Sequence, residues 1–232
     1  METSKFEFSN RWIAFFDILG FKKLVSNSKT PLDLYRILYN YTDTLSYLRE
    51  ECGGYKEGSL FNTWFSDSFL LYTIDDSPSS YGVIEQASKH FFCKNISIRI
   101  PMRGAIAFGL FHTDETMRTY IGQALIDAYL YCEDQDWIGL ILTPTATHQV
   151  RSYGLEPLHH DFTDQEVPMR NCPTTDVLAY TLSSGMANYE SPLLTVLNEM
   201  MHFAPDSIKP KYERTIQHLK RHYRFIKDHL KT

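Results

Sequence analysis

Apolar and polar residues alternate in blocks along the 232-residue chain. The stretch WIAFFDILGFKKLV opens at Trp12 with five apolar residues, as a strand covered on both faces does, and then breaks on Asp17. From Thr30, TPLDLYRILYNYTDTLSYLREEC repeats Leu34, Ile37, Leu38, Tyr41, Leu45 and Leu48 at three- and four-residue steps. With Thr30 as cap and Pro31 in the first turn, this spacing predicts a helix. LFNTWFSDSFLLYTIDD, from Leu60, predicts two short aromatic-rich strands around a tight turn at Ser66-Asp67-Ser68. A second helix is predicted from Ser79 to about Lys94, with Ile84, Ala87, Phe91 and Phe92 on its apolar side. MRGAIAFGLFH resumes as a strand, GQALIDAYLYCED suits a helix, and WIGLILTP predicts a buried strand followed by a helix from near Pro144.

Strand, helix, strand, strand, helix, strand, helix, strand is the order of a split βαβ arrangement. It predicts an α+β protein with a ferredoxin-like βαββαβ core and a mixed, mainly antiparallel sheet. Beyond Tyr153 the pattern weakens to strand candidates at Glu166–Met169 and Val177–Thr181, and two helices close the chain. In the last helix Tyr212, Ile216, Leu219, Tyr223, Ile226 and Leu230 form an apolar seam, with Lys211, Arg214, Lys220, Arg221, Arg224 and Lys227 on the other faces. The expected organisation is one unit over 8–182 and a C-terminal helical extension over 183–232 packed on it.

Composition narrows the classes. A hydrophobic content of 43% is ordinary for a globular protein, no apolar run is long enough to span a bilayer, and METSKFEFSN lacks the apolar stretch of a signal peptide. A cytoplasmic protein that is not embedded in a membrane is therefore expected. A net charge of −5 argues against a nucleic-acid-coating protein, although the last 26 residues hold eight Lys or Arg. Cys52, Cys93, Cys132 and Cys172 have no zinc-knuckle or redox spacing and read as isolated reduced thiols. His159, His160 and Asp161 are adjacent on the chain, so they alternate in direction and make a poor joint metal site.

Two aspartates carry the chemical interest. Asp17 ends an apolar strand, where an unpartnered carboxylate is costly, and Asp67 sits in a hairpin turn. In a ferredoxin-like sheet the first strand lies beside that hairpin, so the two carboxylates converge and suit one or two divalent cations with oxygen ligands. Directly behind Asp17, ILGFKK predicts a turn into a short helix. Its free N–H groups, Gly20, Lys22 and Lys23 suit a triphosphate.

AFFDILGFKKLV, FSDSFLLY and RGAIAFGLF followed by YIGQALIDAYLY resemble the class III nucleotidyl cyclases over roughly residues 10 to 145. Within that group the chain looks most like the bacterial pyrimidine cyclases of the Pycsar anti-phage systems. The resemblance implies that UTP or CTP is converted to cyclic 3′,5′-UMP or cyclic CMP plus pyrophosphate, with two Mg²⁺ or Mn²⁺ ions per site. It implies Asp17, the Ile18 carbonyl and Asp67 as metal ligands, and Leu19, Gly20, Phe21, Lys22, Asn62 and Thr63 as nucleotide-binding residues. It also implies a homodimer with active sites at the interface and a separate effector protein that senses the cyclic nucleotide.

The chain departs from adenylate cyclases at three positions. Thr63 stands where those enzymes carry a lysine that reads adenine, and Ile126 and Leu130 stand at the positions of an asparagine and an arginine that bind ribose and the transition state. Several readings follow. One is a pyrimidine cyclase whose catalytic cation is Arg103 or a lysine of the partner, Arg103 reading equally as a structural ion-pair residue. Others are an adenylate or guanylate cyclase, a silent nucleotide-binding relative, and a protein- or RNA-interaction module.

Overall fold

The computed structural model describes residues 7–27, 59–155, 162–182 apart from Gln165, and 192–229, together with Thr30, Leu32, Tyr35, Tyr39 and Ser46. The predicted helix from Thr30 to Cys52 lies mostly outside the described residues, as do His159, His160 and Asp161. The strands are β1 (Ser9–Ile18), β2 (Leu60–Phe65), β3 (Ser68–Thr73), β4 (Met102–Asp114), β5 (Thr119–Ile121), β6 (Leu140–Leu142), β7 (Phe162–Thr163) and β8 (Leu178–Tyr180). The helices are α1 (Phe21–Asn27), α2 (Pro78–Ser97), α3 (Gln123–Asp134), α4 (Pro144–Ser152), α5 (Pro192–Phe203) and α6 (Lys209–His229).

Among the described residues one eight-stranded sheet runs β2-β3-β1-β4-β6-β8-β7, with β5 paired to β4 alone. Its first four strands have the ferredoxin-like order. The β4–β6 pair is parallel and the other pairs are antiparallel. The sheet is therefore mixed and mainly antiparallel, as the element order predicted. Two strands were not foreseen, β5 and β7. Of the candidate Glu166–Met169, Met169 makes an isolated bridge to Gln135.

Alternation along β1 divides the core. Trp12, Ala14, Phe16 and Ile18 face a large cluster built with α2, α4, α5 and α6, including Phe91, Val150, Leu197 and Ile216. Ile13 and Phe15 face the other way, toward Ala124 and Ala128 of α3. Four of the six predicted seam residues of the last helix, Tyr212, Ile216, Leu219 and Tyr223, are buried in the first cluster. Ser77 caps α2 by accepting from the Ser80 amide at 3.2 Å, with Pro78 in the first turn. Gly122 starts α3 against the Leu110 backbone, where a Cβ would lie 2.2 Å from the carbonyl oxygen.

Candidate active site

β1 is a central strand because its residues are apolar on both sides, and its last turn brings Asp17 to the sheet end. The register pairs Asp17 with Ser68 on one side and with Arg103 on the other. Asp67 precedes Ser68 in the β2–β3 turn, where Ser66 takes a positive φ of 58° and its carbonyl accepts from the Trp64 indole at 2.5 Å. The Ile18 amide then donates to the Asp67 carbonyl at 3.0 Å, tying the two aspartate-bearing turns together. The two aspartates singled out in the sequence are neighbours.

Arg103 is 7% exposed, and its guanidinium is shared among four acceptor groups, the carboxylates of Asp17 and Glu133 and the carbonyls of Glu133 and Gln135. Nε and Nη2 lie 3.0 and 2.9 Å from Asp17 Oδ2. Nη2 also meets Glu133 Oε1 at 2.5 Å, and Nη1 donates to the Glu133 carbonyl at 2.5 Å. Both bonds to Asp17 fall on Oδ2, and Oδ1 has no partner among the described residues. The geometry is that of a structural ion pair, one of the two roles expected for Arg103.

Burial pushes the Asp17 carboxyl up to about 6, against the pull of Arg103, and the negative charges of Glu133 and Asp67 push the same way. Two carboxylates, Asp17 and Glu133, thus share one guanidinium, and Asp67 is close enough to Asp17 to act on its charge. Such a cluster fits a divalent cation chemically, with Asp17 and Asp67 as the oxygen donors. Among the described residues no group of three His, Cys, Asp or Glu is arranged as a metal cluster. Cys132, fully buried behind the pair, donates its thiol to the Arg103 carbonyl at 3.4 Å.

The other sequence candidates divide. Gly20 follows Asp17 with φ 77°, which suits glycine, and α1 begins at Phe21 as expected. The Leu19 amide is already taken by the Pro101 carbonyl at 2.9 Å, so free donors begin at the first turn of α1. Lys22 is exposed, while Leu19 and Phe21 pack on the large core cluster. Thr63 pairs with Leu70 and so shares the Asp17 face, whereas Asn62 pairs with Leu71 and lies on the opposite face. Ile126 and Leu130 are each 50% exposed on α3.

Glu133 was not singled out in the sequence. It ends an ordinary helix, and only packing brings it to Arg103. Behind it, α6 supports the loop after α3: Lys211 donates to the Gln135 carbonyl at 3.3 Å, and Arg214 donates to the Asp136 carbonyl at 2.6 Å. Lys211 and Arg214, on the faces away from the apolar seam, are therefore anchors for that loop.

No family model and no curated relative matches the chain. Solved structures do match. The non-canonical dimeric guanylyl cyclase domain of the RhoGC fusion protein from the aquatic fungus Blastocladiella emersonii aligns with TM-score 0.52 at 12% identity, over 63% of this chain and 86% of that one. The catalytic core of a rhodopsin-guanylyl cyclase with converted specificity, in complex with ATPαS, gives 0.53 at 9%, over 75% and 95%. Adenylate cyclases from Trypanosoma brucei in their monomeric state give 0.50 at 13%, over 74% and 87%. The chain has the fold of adenylyl and guanylyl cyclase catalytic domains.

Proposed function

We propose that the protein is a nucleotidyl cyclase acting on UTP or CTP. The observation that carries this reading is the junction of Asp17 and Asp67 at adjoining strand ends of a cyclase fold, joined by the 3.0 Å Ile18–Asp67 hydrogen bond. Asp17, Asp67 and the Ile18 carbonyl would hold two Mg²⁺ or Mn²⁺ ions, which when bound lower the pKa of the ribose 3′-hydroxyl and neutralise the triphosphate. In the reaction the 3′-oxygen attacks the α-phosphorus in line, the bond to the β-phosphate bridging oxygen breaks, and pyrophosphate leaves.

The protein's own contribution is placement and charge. Arg103 fixes the Asp17 rotamer through Oδ2 and leaves Oδ1 for a ligand. The first turn of α1, with Lys22, offers donors to the phosphates. Thr63, on the Asp17 face, lines the approach of the base, and its lack of a lysine ammonium supports the pyrimidine reading over adenine. Ile126, Tyr129 and Leu130 expose an apolar strip on α3 beside this face, which supports a homodimer with a site at the interface. On this reading the cyclic nucleotide is a messenger in bacterial anti-phage defence, read by a separate effector.

The test is incubation with each of the four ribonucleoside triphosphates and Mn²⁺, with products resolved by mass. Cyclic UMP or cyclic CMP is expected, and Asp17→Asn and Asp67→Asn each lower the rate by about 10³-fold or more. A cyclic purine product would overturn the pyrimidine preference alone. No cyclic product from any of the four would overturn the enzyme reading.

A further inference from the structure

Asp17 and Ile18 point to opposite faces of β1, so the turn after β1 has a second side. On the Ile18 side, Ile18, Leu19 and Gly20 form one wall of a cavity of about 500 Å³. The facing wall is the junction of α5 and α6, with Met200, Ala204 and Ile208. A Cβ at Gly20 would meet Ile208 Cδ1 at an ordinary contact distance of 3.4 Å, so the two walls approach each other at that point. Phe203, at 84% exposed, stands among the lining residues although it is large and aromatic.

The chemistry of the lining selects a ligand class. The two charged residues that line it, Arg99 and Glu199, pair with each other at 2.8 Å, so the cavity presents no uncompensated charge. Tyr212 also lines it, and its hydroxyl makes no hydrogen bond to a described residue. Everything else at the walls is apolar or backbone. Mainly apolar cavities of roughly 300–1,000 Å³ with few polar groups are the usual form of small-molecule sites. The volume matches about one turn of a helix with its side chains, too little to dock a helical segment.

We propose that this cavity is a binding site for an uncharged, mainly apolar small molecule. Its body fills the space between the β1 turn and the α5–α6 junction, and one polar group meets Tyr212. A charged end finds little advantage there, because the only charges at the lining among the described residues, Arg99 and Glu199, already offset each other in an exposed pair.

The test uses full-length protein carrying ¹³C-methyl methionine, with the Met200 resonance assigned through Met200→Leu. The probe is 1-decanol, with decanoate and decylammonium as charged counterparts below their micellar concentrations. Expected is a saturable shift of the Met200 methyl with decanol, at least ten-fold tighter than with either ion, and contacts from decanol protons to the Met200 and Ile208 methyls. Ala204→Trp, which fills the cavity, weakens decanol binding at least ten-fold. Three results would overturn the proposal: no saturable shift at Met200, equal or tighter binding of either ion, or undiminished binding to a folded Ala204→Trp. Should that variant not fold, the wild-type decanol contacts to Met200 and Ile208 decide alone, their absence sinking the site.

Discussion

Arg103 is held by Asp17 and Glu133 together, so its removal leaves two carboxylates facing each other in a largely buried place. Arg103→Met is expected to cost about 3 kcal/mol in chemical denaturation at pH 8. At pH 5 the loss shrinks, because Asp17, already raised to about 6, takes a proton instead of standing unpaired. A raised acid pKa means that the stability linked to Asp17 is full below the usual value near 4 and is lost as pH rises through 6. His218 has the opposite sign. Burial lowers it to about 4, its Nδ1 donates to the Glu166 carbonyl at 3.2 Å, and Arg221 and His222 add repulsion. The unfolded chain takes a proton near 6.5 and the folded chain does not. The stability linked to His218 is therefore full above 6.5 and falls toward pH 4, by on the order of 3 kcal/mol. The two slopes oppose each other in wild type. His218→Gln is expected to remove one, so that stability then falls as pH rises from 4 to 6.5 when followed by urea denaturation.

Among the elements, α6 has the longest reach. Thr215 accepts from the Ile138 amide at 2.8 Å and donates to the Ile138 carbonyl at 3.2 Å, holding the segment between α3 and β6 against the helix. Thr215→Val keeps the shape and leaves that buried amide unpaired. The expected cost is about 1–3 kcal/mol in thermal or urea unfolding. The strands that position Asp17 and Asp67 were legible in the sequence because apolar runs bounded by turn residues leave few alternatives. β5 and β7 were not, since three residues and two residues carry too little pattern to register. The candidate pair Asp17 and Asp67 was legible through topology, because the ferredoxin-like order puts the first strand beside the hairpin. Glu133 and the α5–α6 cavity depend on contacts between distant segments, and no local spacing encodes them. Asn62 and Thr63 were taken together as neighbours of the base, yet strand alternation sends them to opposite faces.

At the scale of the whole molecule, the apolar strip on α3 predicts self-association. Ile126→Glu combined with Leu130→Glu is expected to shift sedimentation from dimer to monomer while the thermal midpoint stays within a few degrees, since both residues are half exposed in one chain. Asp17, Asp67 and Glu133 against Arg103 leave a formal charge of two negatives at the mouth of the site. One divalent ion cancels that charge, so a second would enter an already neutral site and has little reason to bind until a triphosphate brings its own negative charge. Titration with Mn²⁺ followed by electron paramagnetic resonance is therefore expected to count one ion per chain without nucleotide and two with a non-hydrolysable triphosphate. Glu133→Gln, which removes one negative charge, should weaken the first ion more than the second.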